Sequence, residues 1–454
     1  MATRSGPTIL AALLLALPAV HAADLGRETL PTNDGWAATP TAVLPNGTTG
    51  GSLATPDHVY TVHDRNELVA ALAYSSSQNA ATATPKIIQI AGTIDGNVDA
   101  EGHPLTCEDY YSPDPQTGEM YSLEKFLADY DPFGPWGYNT PVGPQERARA
   151  ASAAAQAARV RIRIPANTTI VGLGTDATVR GAWFDVRLGS SGSVPMNVII
   201  RNITFEDTFD CFPVWDPKDG ATGNWNSAYD AISVRNATHV WIDHNTFRDK
   251  TTRDETLPTY FGRHYQVHDG LVDVTNASDY VTISWNRLLD HDKTMLIGSS
   301  DSATADRNTL RVTLHHNFFK GVGQRVPRVR FGKVHVYNNF YKIQHLPGYG
   351  YSWGVGVESQ IYAENNFFVT DKKVSVADFI DYFKGTRITA IGTRRAGEQA
   401  GAYVDVVGEW NAANDPDLLP DAGWAPSLYG PAGTAQPTND VPDAVESGAG
   451  PMAW

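Results

Sequence analysis

Three groups of charged residues in this sequence have types and spacings that suit chemistry on an anionic substrate. The first group is acidic and consists of Asp230, Asp269 and Asp273. On a fully extended strand the last two would lie about 13 Å apart, too far to share one ion. Gly270 follows Asp269, so a bend there can bring the carboxylates together, with Asp230 beside them. Converging carboxylates favour a Ca²⁺ site, and acidic residues at solvated turns remain the alternative.

The other two groups are basic. Lys293 ends the segment LDHDK and precedes an apolar strand, and QRVPRVRFGKVHVYNN contains Arg325, Arg328 and Arg330. Arg328 and Arg330 share one face of a strand, and Arg325 precedes a proline turn. A basic stripe in an acidic protein is a candidate site for an anion. Structural ion pairs with the abundant aspartates are the alternative, and composition does not choose between the two.

The elements that must position these groups belong to an internal repeat. Six segments align without gaps, with apolar residues at their second, fourth and ninth positions. They are NVIIRNITF (197–205), HVWIDHNTF (239–247), YVTISWNRL (280–288), RVTLHHNFF (311–319), KVHVYNNFY (333–341) and QIYAENNFF (360–368). The seventh position is Asn in five copies: Asn245, Asn286, Asn317, Asn339 and Asn366. Each segment is predicted to be a β-strand that ends where Asn, which tolerates left-handed backbone angles, turns the chain.

Strands of this kind, stacked without intervening helices, predict a parallel β-helix. The Asn side chains would then form a ladder along its axis, a requirement that a β-sandwich, the alternative fold, does not have. The shortest spacing between copies, 22 residues, is one bare coil. Longer spacings carry loops at 207–228, 248–267 and 299–309, which wall a groove if they leave the same side.

Composition sets the context for these predictions. The chain has 454 residues, 35 Lys and Arg against 50 Asp and Glu, and a formal net charge of -15. A hydrophobic content of 42 % excludes a disordered chain, and the acidic balance argues against nucleic acid as a partner. An apolar run with small residues near Ala22 predicts a signal peptide over residues 1–22, too short to span a membrane. We therefore expect a secreted monomer, extracellular or periplasmic, in which Cys107 and Cys211 form a disulfide or remain buried thiols.

The chain resembles polysaccharide lyase family 1, the extracellular pectate lyases, in ordered motifs along most of its length. These motifs are GWAATP, NGTTGG, IAGTID, IPANTTIVGLG, VWIDH, DGLVDVTNASDYVTISWNRLLDHDK, RVPRVRFGKVHVYNN and AVESGAG. The resemblance implies an all-β fold, a right-handed parallel β-helix. It also implies Ca²⁺-dependent β-elimination of polygalacturonate to 4,5-unsaturated oligogalacturonides. We expect one domain over residues 23–454, with an insertion at 107–160 and a C-terminal segment, 401–454, packed on the helix.

The resemblance also implies residue roles. Asp230, Asp269 and Asp273 match the carboxylates that hold the catalytic Ca²⁺, whereas Ala228 stands where some members have a further Asp. Within the repeat strands, residues 240–244 (VWIDH) are predicted to stack and hydrogen bond rather than to catalyse.

Among the basic residues, Lys293 and Arg330 match the residues that bind the substrate carboxylate, and Arg325 matches the proposed catalytic base. Arg328 is assigned to substrate binding through orientation or ion pairing. An arginine base predicts an alkaline activity optimum, because guanidinium stays protonated at neutral pH unless nearby positive charges lower its pKa.

Three alternatives to a pectate lyase are defined by their chemistry. A pectin lyase, which acts on methyl esters, does without a calcium site. A polygalacturonase needs paired carboxylates for acid and base work, and its motifs are absent from the sequence. A non-catalytic β-helix that binds wall polysaccharide would not need the basic stripe from Arg325 to Arg330.

Overall fold

The computed structural model describes residues 24–187, 194–344, 348–397, 401–426 and 435–454. The predicted signal peptide, residues 1–22, lies outside the described residues. The described chain forms a right-handed parallel β-helix with three long sheets. None of its helices is long and apolar enough to cross a bilayer.

The three sheets are stacked along one axis, and their strands pair in parallel except for the last strand of the second sheet. The first sheet contains Val59–Val62, Lys86–Ile90, Thr168–Gly172, Val194–Arg201, Ala237–Asp243, Asp279–Ser284, Arg311–His315, Lys333–Tyr337, Gln360–Glu364 and Ile388–Ile391. The second contains Thr93–Asp95, Thr178–Arg180, Thr204–Glu206, Thr246–Arg248, Arg287–Lys293, Phe318–Gln324, Phe340–Ile343, Phe367–Thr370, Arg394–Ala396 and Ala402–Tyr403. The third, which we call the site sheet, contains Arg161–Ile164, Trp183–Val186, Ile232–Arg235, Val272–Thr275, Leu296–Ile297, Arg328–Val329, Trp353–Gly356 and Ile380–Phe383.

The six sequence repeats each supply one strand of the first sheet, a bend, and the start of a strand of the second sheet. Their second, fourth and ninth positions are all buried in the main core, as the pattern predicts. The Asn ladder is confirmed, because the side-chain amide of each Asn donates to the next at 3.0–3.2 Å from Asn245 to Asn366.

The prediction that these Asn residues adopt the left-handed conformation was wrong by one position. The sixth residue of every copy, which precedes the ladder Asn in five of them, has the positive φ, between 49° and 62°: Asn202, His244, Trp285, His316, Asn338 and Asn365. The sixth residue makes the bend, which turns the seventh side chain inward to the buried ladder. The ladder Asn is therefore selected for its amide hydrogen bonds rather than for its backbone freedom.

The described residues outside the three sheets include five α-helices and two short antiparallel strand pairs. The helices are α1 (Arg65–Leu72), α2 (Leu123–Asp129), α3 (Pro144–Val160), α4 (Val406–Ala413) and α5 (Val441–Gly448). The strand pairs join Val214–Asp216 to Asn224–Asn226, and Thr259–Tyr260 to Arg263–His264. Short 3₁₀ helices lie at Trp36–Ala38, Pro56–His58, Glu108–Tyr110, Asp254–Thr256, Thr304–Asp306, Ala377–Phe379 and Thr438–Asp440.

The insertion at 107–160 and the loops at 207–228 and 248–267 share a second apolar cluster. Its buried aromatic side chains include Phe126, Phe212 and Trp225, and the disulfide Cys107–Cys211 links the insertion to the first of these loops. The insertion is thus an integral wall beside the site sheet. The C-terminal segment packs against the second sheet through α5, whose buried valines contact the Phe ladder there.

Candidate functional site

The three aspartates of the acidic group meet at two adjacent strands of the site sheet. The Asp230 carboxylate accepts the Gly270 N–H at 3.0 Å, and the Asp273 carboxylate accepts the Leu296 N–H at 2.9 Å. A Cβ built on Gly270 would lie 2.2 Å from Asp273 Oδ1 and 2.9 Å from Asp230 Oδ1. Both carboxylates therefore lie against Gly270, where no side chain would fit, at the bend that the sequence predicted.

The electrostatics of these carboxylates fit a cation. Burial, followed by the charges of Asp273 and Asp269, raises the pKa of Asp230 well above its ordinary value. Burial and Asp269 likewise raise the pKa of Asp273 to about 7. The Ser233 hydroxyl, which donates to Asp230, carries no charge that could offset the repulsion between the carboxylates. Buried carboxylate oxygens that destabilise one another suit a hard divalent ion such as Ca²⁺.

Arg325 stands beside this acidic group. Its guanidinium lies 3.7 Å from Asp269 Oδ1, and its Nε has no hydrogen-bond partner among the described residues. Burial alone would lower its pKa, but Asp269 and Asp273 outweigh burial and raise it above the ordinary value. Arg325 also adopts a left-handed conformation, with a φ of 58°. Such backbone strain in a bulky residue costs about 1–3 kcal/mol and clusters at functional sites.

The remaining basic residues surround Arg325 on neighbouring strands. Lys293 is largely buried, lies in register with Gln324, and has no ion pair with a described carboxylate. Arg330 donates to Asp301 at 2.7 Å and to the Gly298 carbonyl at 3.0 Å. Residue spacing does not identify Asp301 as the partner, because Asp301 belongs to the loop at 299–309.

Arg328 does not form the ion pair that was one of its two predicted roles. Its guanidinium carbon lies 3.7 Å from the centroid of the Phe383 ring, and no described carboxylate lies within ion-pair distance. Burial, followed by the charge of Arg330, lowers its pKa. Stacking on Phe383 fixes the direction of Arg328, which is consistent with the other predicted role, orientation.

A buried histidine supports the Asp269 loop, and the sequence analysis missed it. His291 Nδ1 donates to Asp249 at 2.7 Å, and Nε2 donates to the backbone carbonyl of Asp269 at 2.7 Å. Burial opposes a charge on this ring, yet Asp249 raises the pKa of His291 to about 10. His291 belongs to the segment LDHDK, in which the sequence analysis assigned a role only to Lys293.

A second cluster, Asp249, Asp254 and His268, has the spacing of a metal site but not its chemistry. Both ring nitrogens of His268 face backbone carbonyl oxygens, of Thr208 at 2.8 Å and Thr252 at 2.7 Å. Both ring nitrogens are therefore directed at backbone carbonyl oxygens rather than at a shared metal position. The cluster is better described as a buried histidine held by backbone carbonyls, 3.7 Å from the Asp249 carboxylate.

Replacing Asp249 with Asn is expected to lower the free energy of unfolding by about 3 kcal/mol, because a buried imidazolium loses its counter-charge. Urea denaturation measures this change. Asp290→Asn is the matched control, since Asp290 forms an exposed ion pair with Arg253 at 3.3 Å and surface pairs contribute less than about 1 kcal/mol. Equal effects of the two substitutions would contradict the role of Asp249.

A fourth carboxylate lies behind the acidic group. Asp210 is almost fully buried and accepts the N–H groups of Phe212 and Ala228 at 2.8 and 3.1 Å. Burial raises its pKa to about 6. With both oxygens bonded to backbone, Asp210 fixes the segment that carries Ala228 and Asp230.

The VWIDH run has the structural role that was predicted. Asp243 is buried and accepts hydrogen bonds from Arg201 at 2.9 Å, His244 at 2.7 Å and Ser284 at 2.7 Å. Arg201 also stacks on Trp241, 4.7 Å from the ring centroid. These contacts satisfy the Asp243 carboxylate within the first sheet, away from the acidic group of the site sheet.

Comparisons with known proteins agree on one family. A family model for pectate lyase matches residues 138–390. A pectate lyase of Bacillus subtilis (strain 168) is 48 % identical over 425 residues, which cover 92 % of this chain and 93 % of the relative. The thermostable pectate lyase PL 47 has a TM-score of 0.87 at 43 % identity, covering 95 % of this chain and 100 % of that chain. A pectate lyase studied for its substrate specificity and anti β-elimination mechanism has a TM-score of 0.83 at 45 % identity, covering 94 % and 99 %.

Proposed function

The chain belongs to the pectate lyase family, and from this premise we propose that it is a secreted enzyme that cleaves polygalacturonate by Ca²⁺-dependent β-elimination. The observation that carries the proposal is the meeting of Asp230 and Asp273 over Gly270, with Asp269 bridging to Arg325 at 3.7 Å. This arrangement places a proposed cation site beside a candidate base. The related pectate lyase whose anti β-elimination was studied supports the reaction type.

Asp230, Asp269 and Asp273 are proposed to hold the ion. The raised pKa values of Asp230 and Asp273 support this assignment, because carboxylates that repel one another gain most from a shared cation. Bound there, Ca²⁺ would neutralise the substrate carboxylate and so acidify the adjacent carbon-5 proton. Lys293 and Arg330 are proposed to bind that carboxylate, Arg330 by exchanging the Asp301 carboxylate for that of the sugar, while Arg328 orients the site.

Arg325 is proposed to remove the carbon-5 proton. The electron pair of that C–H bond forms the double bond between carbons 4 and 5 and expels the glycosidic oxygen from carbon 4. The leaving oxygen takes up a proton from water. In the structure Asp269 and Asp273 favour the charged guanidinium. Once those carboxylates are neutralised, burial becomes the dominant influence on Arg325 and lowers its pKa, as a base requires.

The proposal is tested by the ultraviolet absorbance of the unsaturated product on polygalacturonate, with and without a chelator. We expect chelation to reduce the rate at least about 100-fold, because a bound metal contributes several kcal/mol to such a reaction, and added Ca²⁺ to restore it. Activity on methylated pectin that survives chelation would identify a pectin lyase. New reducing ends without absorbance would indicate hydrolysis, and neither signal would favour a non-catalytic binding protein.

The rate is expected to rise with pH from neutral into the alkaline range. A base acts only when it is deprotonated, and a guanidinium is protonated at neutral pH, so the active fraction of Arg325 increases as pH rises. A pH–rate profile at saturating Ca²⁺ measures this dependence. An optimum near pH 5 would contradict an arginine base.

Export and assembly form a separate part of the proposal. We assign residues 1–22 to a signal peptide, and the Cys107–Cys211 disulfide supports passage through an oxidising compartment. The remainder, 23–454, is proposed to be a single monomeric domain, since one apolar core extends from Val62 to Leu418. N-terminal sequencing of the exported protein and size-exclusion chromatography test these statements.

A further inference from the structure

A cluster of arginines lies at the edge of the site sheet, remote from the groups described so far. Arg161 and Arg163 belong to the edge strand of that sheet, and Arg65 reaches the same place from α1. Together with Tyr74 they line a cavity of about 340 Å³ between α1, the end of α3 and the edge strand. In a chain with a net charge of -15, such a concentration of positive charge is unusual.

The cluster lacks internal counter-charges. No carboxylate of a described residue lies within ion-pair distance of Arg161 or Arg163. Their guanidinium groups instead lie over aromatic rings, Arg161 over Trp183 and Arg163 over Tyr74, each 5.4 Å from the ring centroid. Burial, followed by the charge of Arg163, lowers the pKa of Arg161, so the two guanidinium groups repel each other across the cavity. An anion placed there would relieve this repulsion.

The sheet register connects the cavity to the acidic group. Arg163 lies in register with Asp185 on the next strand, Asp185 with Ser233, and Ser233 with Asp273. Residues in register on parallel strands share a face, and the residues that alternate with them, Ile162 among them, are in the core. Arg163 and Asp273 therefore lie on the same outer face. Three strand spacings separate them, about 14 Å, a distance that the carboxylates of a chain longer than a trisaccharide can span.

An arginine–aspartate ion pair lies on that face between Asp273 and the cavity. Arg235 lies in register with Thr275, two residues beyond Asp273. Its guanidinium is 4.8 Å from the Trp183 ring centroid and is paired with Asp185 at 2.8 Å. The Tyr74 hydroxyl donates to the backbone carbonyl of Arg187, at 3.1 Å, which places Arg187 beside the cavity. Arg235 thus lies on the outer face between the proposed cation site and the cavity.

We propose that this cavity, lined by Arg161 and Arg163, is a distal binding subsite for a carboxylate of the same polygalacturonate chain. The proposal rests on the proposed function. A polymer with one carboxylate on each sugar can engage the cation site and the cavity at once, and guanidinium groups bind carboxylates in a bidentate manner. The second contact raises the affinity for long chains without touching the reacting sugar.

The test compares long polygalacturonate with trigalacturonate, using the full chain and the variant R161Q/R163Q. We expect KM on the polymer to rise about threefold to tenfold at low ionic strength, since each lost charge-assisted contact is partly screened by solvent. The turnover number on both substrates and KM on trigalacturonate should not change. A charge-matched control, K320Q/K333Q, removes two cations from the other two sheets and should leave both KM values unchanged.

The outcomes separate this proposal from the proposed function. Loss of unsaturated product in the unaltered protein would overturn the function itself. An active protein whose R161Q/R163Q variant keeps the polymer KM, or changes KM equally on both substrates, would overturn the distal subsite alone. If the double variant does not fold, R163Q serves instead, because it leaves the contact between Arg161 and Trp183 intact. The same rise in polymer KM, smaller in size, is then expected.

Discussion

Replacing Arg325 with Ala is expected to lower kcat on polygalacturonate by about two to four orders of magnitude, the usual contribution of a general base. The effect should fall on kcat rather than KM, because the guanidinium faces Asp269 and Asp273 and is not the group assigned to bind the substrate carboxylate. Steady-state kinetics at saturating Ca²⁺ measure both parameters. The Ca²⁺ affinity should be retained, since the substitution removes no carboxylate.

A matched control separates lost chemistry from lost charge. Arg307 forms an exposed ion pair with Glu358 and has no assigned role, so Arg307→Ala should keep kcat unchanged. Thermal melts of both variants report folding, because Arg325 also has an ion-pair contact with Asp269. A folded Arg325→Ala protein with kcat within about threefold of the original would mean that another group removes the proton.

The fold could be predicted from the sequence because a solenoid repeats one local rule. Each coil buries the second, fourth and ninth residues of its segment, so six weak signals reinforce one another. The detail that could not be predicted was which residue bends. The left-handed residues at the sixth position include His244 and Trp285. Neither residue type favours a left-handed bend strongly enough to identify it from sequence.

The candidate site could be predicted only in part, and the missing part is made of partners distant in sequence. The acidic group was recognisable because Gly270 lies between two of its members. The Asp301 partner of Arg330 and the support that Asp249 gives to His291 depend on how separate coils stack, which spacing does not encode. The arginine cavity was missed for the same reason, since α1 brings Arg65 to Arg161 from almost one hundred residues away.

Replacing Gly270 with Ala is expected to weaken Ca²⁺ binding at least tenfold and to reduce kcat/KM by about 100-fold, the loss that follows a misplacement of about 1 Å in an active site. The added methyl group would lie 2.2 Å from Asp273 Oδ1 and 2.9 Å from Asp230 Oδ1, so the two carboxylates must separate. Calorimetric titration with Ca²⁺ and steady-state kinetics measure the two effects.

Gly397→Ala is the matched control, because its methyl group would meet nothing closer than 3.6 Å. It introduces the same backbone restriction far from the acidic group, and both Ca²⁺ affinity and kcat/KM should be unchanged. A Gly270→Ala protein that binds Ca²⁺ as tightly as the original would mean that Asp230 and Asp273 do not share an ion. The raised pKa of Asp273 would then reflect a buried acid pair alone, and the link between the cation site and Arg325 would have to be abandoned.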